Sequence, residues 1–340
     1  MGSTCKYLSE VHFWRYLYVH IKFVFAGAGG FDLGFLQAGF KIVGAYEWDS
    51  FAVESYKANI DPGIEVTDVN ELTGADLKKA DVWTFGFPCQ DLSNNGCKTG
   101  IIDGYRSRTF FEIMRLLDEV EEKPRILLAE NVRGLKKYLH ILESEYEKAG
   151  YKMYYTLYNS KWWGVPQSRD RYFVIGVRND IADSFQFPEE QHDVVPVLYD
   201  FLEDDMIVPD HLYMERPLKF IELGMEGQAI MIREAVKKGY NLANIGDTVN
   251  ITYPNSKTRR GRIGKQISQT LSTGLEHVII LKDGRARRFT PREYARLQGF
   301  PESYKQVVSN TQFYKQLGNA VTVPVAYAIA TQIKKFLANS

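Results

Sequence analysis

The chain has 340 residues, of which 45% are hydrophobic and 14% aromatic, with 42 acidic and 42 basic groups giving zero net charge. This is the profile of a folded protein long enough for two domains, and it excludes a disordered chain. No apolar run approaches the roughly 18 residues needed to cross a bilayer. The apolar N-terminal stretch is broken by Glu10, His12, Arg15, His20 and Lys22, so no secretory signal is expected and the chain reads as soluble and intracellular. Three cysteines, Cys5, Cys89 and Cys97, are too few and too irregularly spaced for a disulfide framework or a zinc site, and no metal is expected.

In chain order, residues 21–26 predict a strand, followed by glycines and a helix over about 31–38. A second strand is expected at 41–46 and a helix at 51–59. Residues 82–85 predict a buried strand, and 110–120 a helix with Ile113, Leu116 and Leu117 on one face. A strand at 126–129, a helix at 140–148 and a strand at 172–177 complete the series. Such alternation implies a parallel sheet covered by helices. The pattern weakens after Asn179, where loops and short strand-like pieces dominate, and a helical pattern resumes near Arg292 and again over 321–336. The expected domains are therefore a large one at 1–185, a smaller loop-rich one at 186–285, and a return to the first at 286–340. Residues 1–20 are aromatic-rich and carry no functional reading.

Phe25-Ala26-Gly27-Ala28-Gly29-Gly30 lies between the first strand and the first helix. Glycines there let the backbone pass close to a ligand at the carboxyl end of the sheet. Glu47 ends the second strand, placed to accept bonds from the hydroxyls of an adenosine ribose. Trp48 beside it can stack on the adenine. A dinucleotide is disfavoured, because the third glycine of its G-x-G-x-x-G fingerprint is replaced by Asp32. Gly86-Phe87-Pro88-Cys89-Gln90 follows a buried strand, so Cys89 is expected at the same crevice, where a positive field would make its thiolate a strong nucleophile. A lone cysteine after a strand is commonly structural; here Glu130-Asn131-Val132 ends another strand, and Gln167-Ser168-Arg169-Asp170-Arg171 precedes a further one. If that segment is extended, its two arginines share a face. A cysteine, a carboxyl and arginines at strand ends suit attack on an electron-poor ring, the carboxyl protonating a ring nitrogen and an arginine binding a ring carbonyl. Taken singly, Arg169 and Arg171 also fit a surface ion pair, and Glu130 with Asn131 a helix cap.

Residues 257–296 hold eleven basic side chains (Lys257, Arg259, Arg260, Arg262, Lys265, Lys282, Arg285, Arg287, Arg288, Arg292 and Arg296) against three acids, Glu276, Asp283 and Glu293. That local excess of eight positive charges is a phosphate-binding footprint in a neutral protein, or simply a solvated surface.

Together these residues resemble the cytosine-C5 DNA methyltransferase family over about residues 21–178 and 286–340. The glycine loop is similar to its first motif, Pro88-Cys89-Gln90 to its catalytic motif, Glu130-Asn131-Val132 to its acid motif, and Gln167 through Arg171 to its Q-x-R-x-R motif. Arg288-Phe289-Thr290-Pro291-Arg292-Glu293 through Leu297-Gln298-Gly299-Phe300-Pro301 matches the motif that supports the recognition domain, and Gln316-Leu317-Gly318-Asn319-Ala320-Val321 the last motif. The resemblance implies an α/β fold: a Rossmann-like S-adenosylmethionine-dependent methyltransferase domain with a smaller target-recognition domain. It implies a cytosine flipped out of double-stranded DNA, attacked at C6 by Cys89, protonated at N3 by Glu130, and held at O2 by Arg171, with Arg169 the second candidate. Phe25, Gly27, Gly29, Gly30, Glu47, Trp48, Pro88 and Asn319 would bind the cofactor, together with Asp68, for which Glu65 is the rival. Residues 90–108 would close over DNA, with Gln90 and Ser93 touching it. In the recognition region, Thr270-Leu271 resembles the recurring Thr-Leu pair, and Arg259, Arg260, Arg262 and Thr270 would contact DNA, arginine being able to bond O6 and N7 of guanine together.

Three positions depart from the family pattern: Phe23 where Asp or Ser is usual, Thr109 where leucine is common, and the uncertain match of Asp68. The Cys-Phe-Thr signature of the tRNA-methylating branch is absent. A silent DNA-binding member is disfavoured by the presence of both Cys89 and Glu130. The size resembles that of bacterial or phage modification enzymes without regulatory domains. This implies a cytoplasmic monomer acting on DNA in a restriction–modification system, whose restriction endonuclease would act separately.

Overall fold

The buried apolar runs become strands, and the glycines and caps between them set where helices start. A computed structural model describes residues 19–87, 109–182, 184–214 and 222–340. Pro88, Cys89, Gln90, Ser93 and the rest of the segment expected to close over DNA lie outside the described residues, as do residues 1–18. The described chain separates into two compact units. One runs to Leu157 and includes Arg171–Glu189 and Val325–Ser340; the other is Tyr158–Asp170 with Glu190–Pro324.

The first unit is built on strands β1 (His20–Val24), β2 (Lys41–Tyr46), β3 (Val82–Phe85), β4 (Ile126–Val132) and β5 (Tyr151–Asn159). After the two-residue β6 (Gln167–Ser168), β7 (Asp170–Arg178) joins the same sheet, in the order β2-β1-β3-β4-β7-β5. β1 runs parallel to both β2 and β3, and β3 parallel to β4. The expectation of a parallel sheet fails at β7, which is antiparallel to β4. Apolar periodicity encodes which face of a strand is buried, but not the direction in which the chain enters the sheet.

Helices α1 (Gly30–Gln37), α2 (Ser50–Asn59), α3 (Thr109–Glu119) and α4 (Leu139–Ala149) connect these strands. Asp49 caps α2 by accepting from the amides of Phe51 and Ala52 at 3.0 and 3.4 Å. Phe85, Phe110, Leu116, Leu127, Leu142 and Tyr146 from β3, α3, β4 and α4 share one core cluster.

The second unit carries a three-stranded sheet, in the order β10-β9-β8, from β8 (Glu222–Glu226), β9 (Ala229–Arg233) and β10 (Tyr240–Ala243). A four-stranded sheet, in the order β12-β11-β14-β15, is formed by β11 (Thr248–Asn250), β12 (Ile263–Gly264), β14 (His277–Ile280) and β15 (Ala286–Arg288). β13 (Ser268–Gln269) pairs in parallel with β6. Ile230, Ile232, Val249, Val278 and Ile280 form the core between these strands. Helix α5 (Pro291–Leu297) starts at a capping box in which Thr290 and Glu293 exchange bonds. It is followed by α6 (Asn310–Asn319) and α7 (Val323–Asn339), the last of which passes into the first unit.

The return to the first unit thus comes at Val325 rather than at the expected 286. The reason is local: β15 pairs with β14, and the buried Arg287 forks onto Glu293 at 2.9 and 2.8 Å, tying α5 to the second unit's sheet. Residues 158–170 also belong there, because Gln167 bonds the carbonyl of Leu297 at 2.8 Å. Once back in the first unit, α7 lies against α1. A Cβ built on Gly34 would stand 2.6 Å from Ala326 Cβ and from Tyr327 N. Lys334 Nζ donates to the carbonyl of Ala38 at 3.0 Å, where α1 ends.

Candidate active site

Because β1 has β2 on one side and β3 on the other, the carboxyl edge of the sheet has a switch point there, the usual place for a ligand in such folds. Several sequence-singled residues of the first unit gather at that edge. The glycine loop leaves β1 with Phe25 at φ 61°, Gly27 at 56° and Gly29 at 80°. A left-handed conformation at an aromatic residue is strained, at a cost of order 1–3 kcal/mol, and such strain concentrates at functional sites. Gly29 is the N-cap of α1, and a Cβ on Gly27 would meet nothing within 4 Å, so the loop leaves open space on that side.

Glu47, at the end of β2, is buried and reaches back to this loop. Its Oε2 accepts from the Gly27 amide at 2.8 Å, and Oε1 from the amides of Trp48 and Asp49, both at 2.9 Å. Burial raises the Glu47 pKa, and the three amides oppose that shift. A carboxylate offers about four acceptor positions, so room remains for one further donor. Beside it Trp48 is 68% exposed. The chain then bridges Val66 to Glu47, and the Thr67 amide donates to the Glu47 carbonyl at 2.8 Å. This brings Asp68 to the same end; it is exposed and accepts from the Asn70 amide at 2.9 Å. Glu65 is exposed on the other side of the bridge.

β3 ends at Phe85, and Gly86-Phe87 follow it toward Pro88 and Cys89. The buried Asn131 donates from Nδ2 to the Phe87 carbonyl at 2.9 Å, so β4 anchors the start of the cysteine segment. Sequence reasoning named Asn131 within the acid motif and as part of a helix cap and missed this role; its partner is 44 residues away, and the amide next to the acid was the only signal. One residue earlier, Glu130 is buried and forms an ion pair with Arg171, Nε to Oε1 at 2.9 Å. The antiparallel register of β4 and β7 brings the start of one strand beside the end of the other.

Arg169 and Arg171 do not act on one face. Arg169 is 1% exposed and donates to the carbonyls of Leu271, Gly318 and Ala320 at 3.0, 2.9 and 2.9 Å. These bonds make it a brace within the second unit. Gln167, Gln298, Thr322 and Ser160 continue this buried polar network, with Thr322 Oγ1 donating to Gln298 Oε1 at 3.0 Å. Asn319 is exposed at the end of α6.

The DNA-contact expectations also change. Arg262 is buried, its guanidinium bonded to the carbonyls of Asn250, Thr252 and Tyr253. It therefore does not reach a base, because a bidentate contact needs the same fork. Thr270 donates its hydroxyl to the Ser168 carbonyl at 2.8 Å. Arg260 is exposed, with Nε on the Ala235 carbonyl at 2.8 Å, and Arg259 is half-buried.

The residues of the first unit fit an adenosyl group: open space beside Gly27, an anchored carboxylate at Glu47 and an uncovered aromatic face at Trp48. Fold and site together define an α/β enzyme of the Rossmann-like methyltransferase class. The family model for C-5 cytosine-specific DNA methylases matches residues 21–335, and the chain belongs to that family. The family's methyl donor is S-adenosylmethionine. The chain is 33% identical to the Type II methyltransferase M.NlaX of Neisseria lactamica over 324 residues, 92% of this chain and 96% of that one. It is 32% identical to M.HhaI of Haemophilus parahaemolyticus, covering 91% and 92% of the two chains. Among solved structures, a putative DNA modification methyltransferase encoded within an E. coli prophage matches with a TM-score of 0.67 and 23% identity, covering 95% of this chain and all of that one. The S. pombe Dnmt2 methyltransferase matches with a TM-score of 0.65 and 20% identity, covering 94% and 98%. At those identities the structures speak for the fold. Among the described residues, no helix is long and apolar enough to cross a membrane.

Proposed function

We propose that Cys89 is the nucleophile of this DNA cytosine-5-methyltransferase, that Glu130 is its acid and that Arg171 binds the base. The observation that carries the assignment is the Glu130–Arg171 ion pair at 2.9 Å, next to the residue that anchors the carbonyl of Phe87. The thiolate of Cys89 forms the bond to C6 of a flipped cytosine, and the ring's electrons shift toward N3, which takes a proton from Glu130. Arg171 holds O2 and keeps Glu130 oriented. S-adenosylmethionine supplies an electrophilic methyl group. With C5 methylated and the donor left as its neutral thioether, a solvent base takes the C5 proton, N3 returns its proton to Glu130, and the C5–C6 double bond re-forms as the Cys89 thiolate leaves. Phe25, Gly27, Gly29, Gly30, Glu47, Trp48, Asp68 and Pro88 would hold the cofactor, with Glu47 toward the ribose and Trp48 toward the adenine. Gln90, Ser93, Arg259 and Arg260 contact DNA.

The Type II names of the relatives support a restriction–modification context. Within it the chain acts as a monomeric cytoplasmic enzyme, with a companion endonuclease acting separately. The test is incubation with radiolabelled S-adenosylmethionine, mixed-sequence duplex DNA and a tRNA control, alongside Cys89→Ser. Label in DNA as 5-methylcytosine, absent with the variant, is expected. Label in tRNA alone would move the chain to the RNA-modifying branch, and label in neither would make it a silent binding protein.

A further inference from the structure

We propose that Arg262 is a positioning residue for target choice: its buried guanidinium fixes residues 250–261 in the shape that discriminates one DNA sequence from another. The inference deepens the DNA-methylating reading above and rests on it.

The loop between β11 and β12 is held from both limbs. On the rising limb, Arg262 Nη1 donates to Asn250 O at 3.0 Å and Thr252 O at 2.7 Å, and Nη2 to Tyr253 O at 2.7 Å. On the falling limb, the buried Glu234 carboxylate accepts from the amides of Gly261 at 3.1 Å and Arg262 at 2.7 Å. The Ala235 amide donates to the Arg259 carbonyl at 2.7 Å, and the Asn250 amide to the Arg262 carbonyl at 2.7 Å. Inside the loop, the Ser256 hydroxyl accepts from the amides of Thr258 and Arg259 at 3.3 and 3.1 Å.

Two features say that this scaffold serves what the loop presents. Tyr253 stands at φ 49°, a strained setting for an aromatic residue, and its carbonyl is one of the three that Arg262 grips. Tyr253 is 66% exposed, with the Arg259 guanidinium 6.0 Å from its ring centre. Lys257 and Arg260 are exposed on the same loop, and residues 250–262 contain no acid. A buried guanidinium bonded to neutral carbonyls is costly, and such groups are kept where they impose one conformation. Arginine spreads five donors over a planar fork wide enough to span three separated carbonyls, whereas the three donors of lysine radiate from a single nitrogen. Arg262 thus fixes the strained residue on which Arg259 rests, and through it the direction of the exposed groups.

The experiment compares wild type, Arg262→Gln and Arg262→Lys on unmethylated plasmid duplex, mapping the sequence around every methylated cytosine and measuring steady-state rates. Hydrogen exchange of residues 250–261 is followed in the free proteins. For Arg262→Gln, kcat at saturating plasmid is expected to stay within about threefold while KM rises about tenfold or more. Preference for the wild-type site over sites one base pair different is expected to fall about tenfold, the worth of one good base contact. Loop amides should exchange faster while those of β1, β3 and β4 stay protected, and Arg262→Lys should recover part of each effect. An unchanged site profile in a variant whose loop exchanges faster would overturn the proposal, and so would a loss of kcat and of protection throughout the protein in both variants. If the wild type leaves the plasmid unmethylated, the activity reading falls and target choice falls with it. Equal loop exchange in wild type and variants would overturn the positioning claim independently.

Discussion

Burial moves the proton affinities of Asp32 and Lys22 in opposite directions. Asp32 sits fully buried in the first turn of α1, where burial pushes its pKa from 3.8 up to about 8, against the hydroxyl donated by Tyr56. Its folded pKa is raised, so its contribution to stability is full below pH 3.8 and is lost as pH rises through about 8. Asp32→Asn resembles the protonated carboxyl, and its melting temperature should gain on wild type between those limits and no further above them. Lys22 is buried in β1 against the Trp83 ring, its ammonium on the Lys78 carbonyl, and burial first, then the Lys78 charge, lowers its pKa from 10.5 to about 7. Its contribution is full above 10.5 and is lost as pH falls through about 7, so Lys22→Met should gain on wild type as pH falls through that window. Thermal melts across the two windows read both slopes; flat differences would mean that neither side chain titrates as its burial requires. The sequence showed Asp32 as the residue that spoils a dinucleotide fingerprint. It could not show the bond from Tyr56, which comes from another helix 24 positions on.

At Gly34, α1 and α7 approach closely, since an added Cβ would meet Ala326 Cβ and Tyr327 N at 2.6 Å. Gly34→Ala should therefore lower the unfolding free energy by about 1–3 kcal/mol, the usual cost of overpacking, even though alanine favours helix. Urea unfolding measures it, and an unchanged midpoint would mean that the helices separate without cost. Most strands and helices of the first unit were legible because their apolar residues recur at clear periods: the fully buried run of β3 and the one-sided stripe of α3 are examples. β5 was not read, because Tyr151–Asn159 mixes buried, half-buried and exposed positions without alternation. α6 was missed for the same kind of reason, its sequence being largely polar. In the candidate site, the motifs singled out Glu130 and Arg171, and an ion pair joins the two. The bracing roles of Arg169 and Arg262 were not legible, since arginine is ordinarily an exposed residue type and their carbonyl partners can be any residue.

Across the whole molecule, the basic segment is less basic in three dimensions than in sequence. Asp205, Asp247 and Glu302, all outside residues 257–296, pair with Arg287, Lys265 and Arg296, while Arg285 pairs with Asp283 inside it. Phosphate contacts should therefore come from the exposed loop cations and not from the segment as a block. The double variant Lys257→Ala, Arg260→Ala should reduce the slope of log affinity against log salt by about 2, whereas Arg285→Ala should leave it unchanged. Equal slopes for all three proteins in a DNA-binding titration would place the phosphate contacts elsewhere.

The docking of α7 on α1 also has a consequence in time. Lys334 closes onto Ala38 across 296 positions of chain. At a synthesis rate of about 5–20 residues per second, the ribosome needs on the order of 15–60 s to bridge that gap. From Arg178, where the last strand of its sheet ends, until Lys334 is made, the nascent first unit has its sheet-forming segments but not the helix that covers Gly34. The apolar face left open is the one on which a holding chaperone would act, and the one through which unfinished chains would stick to each other.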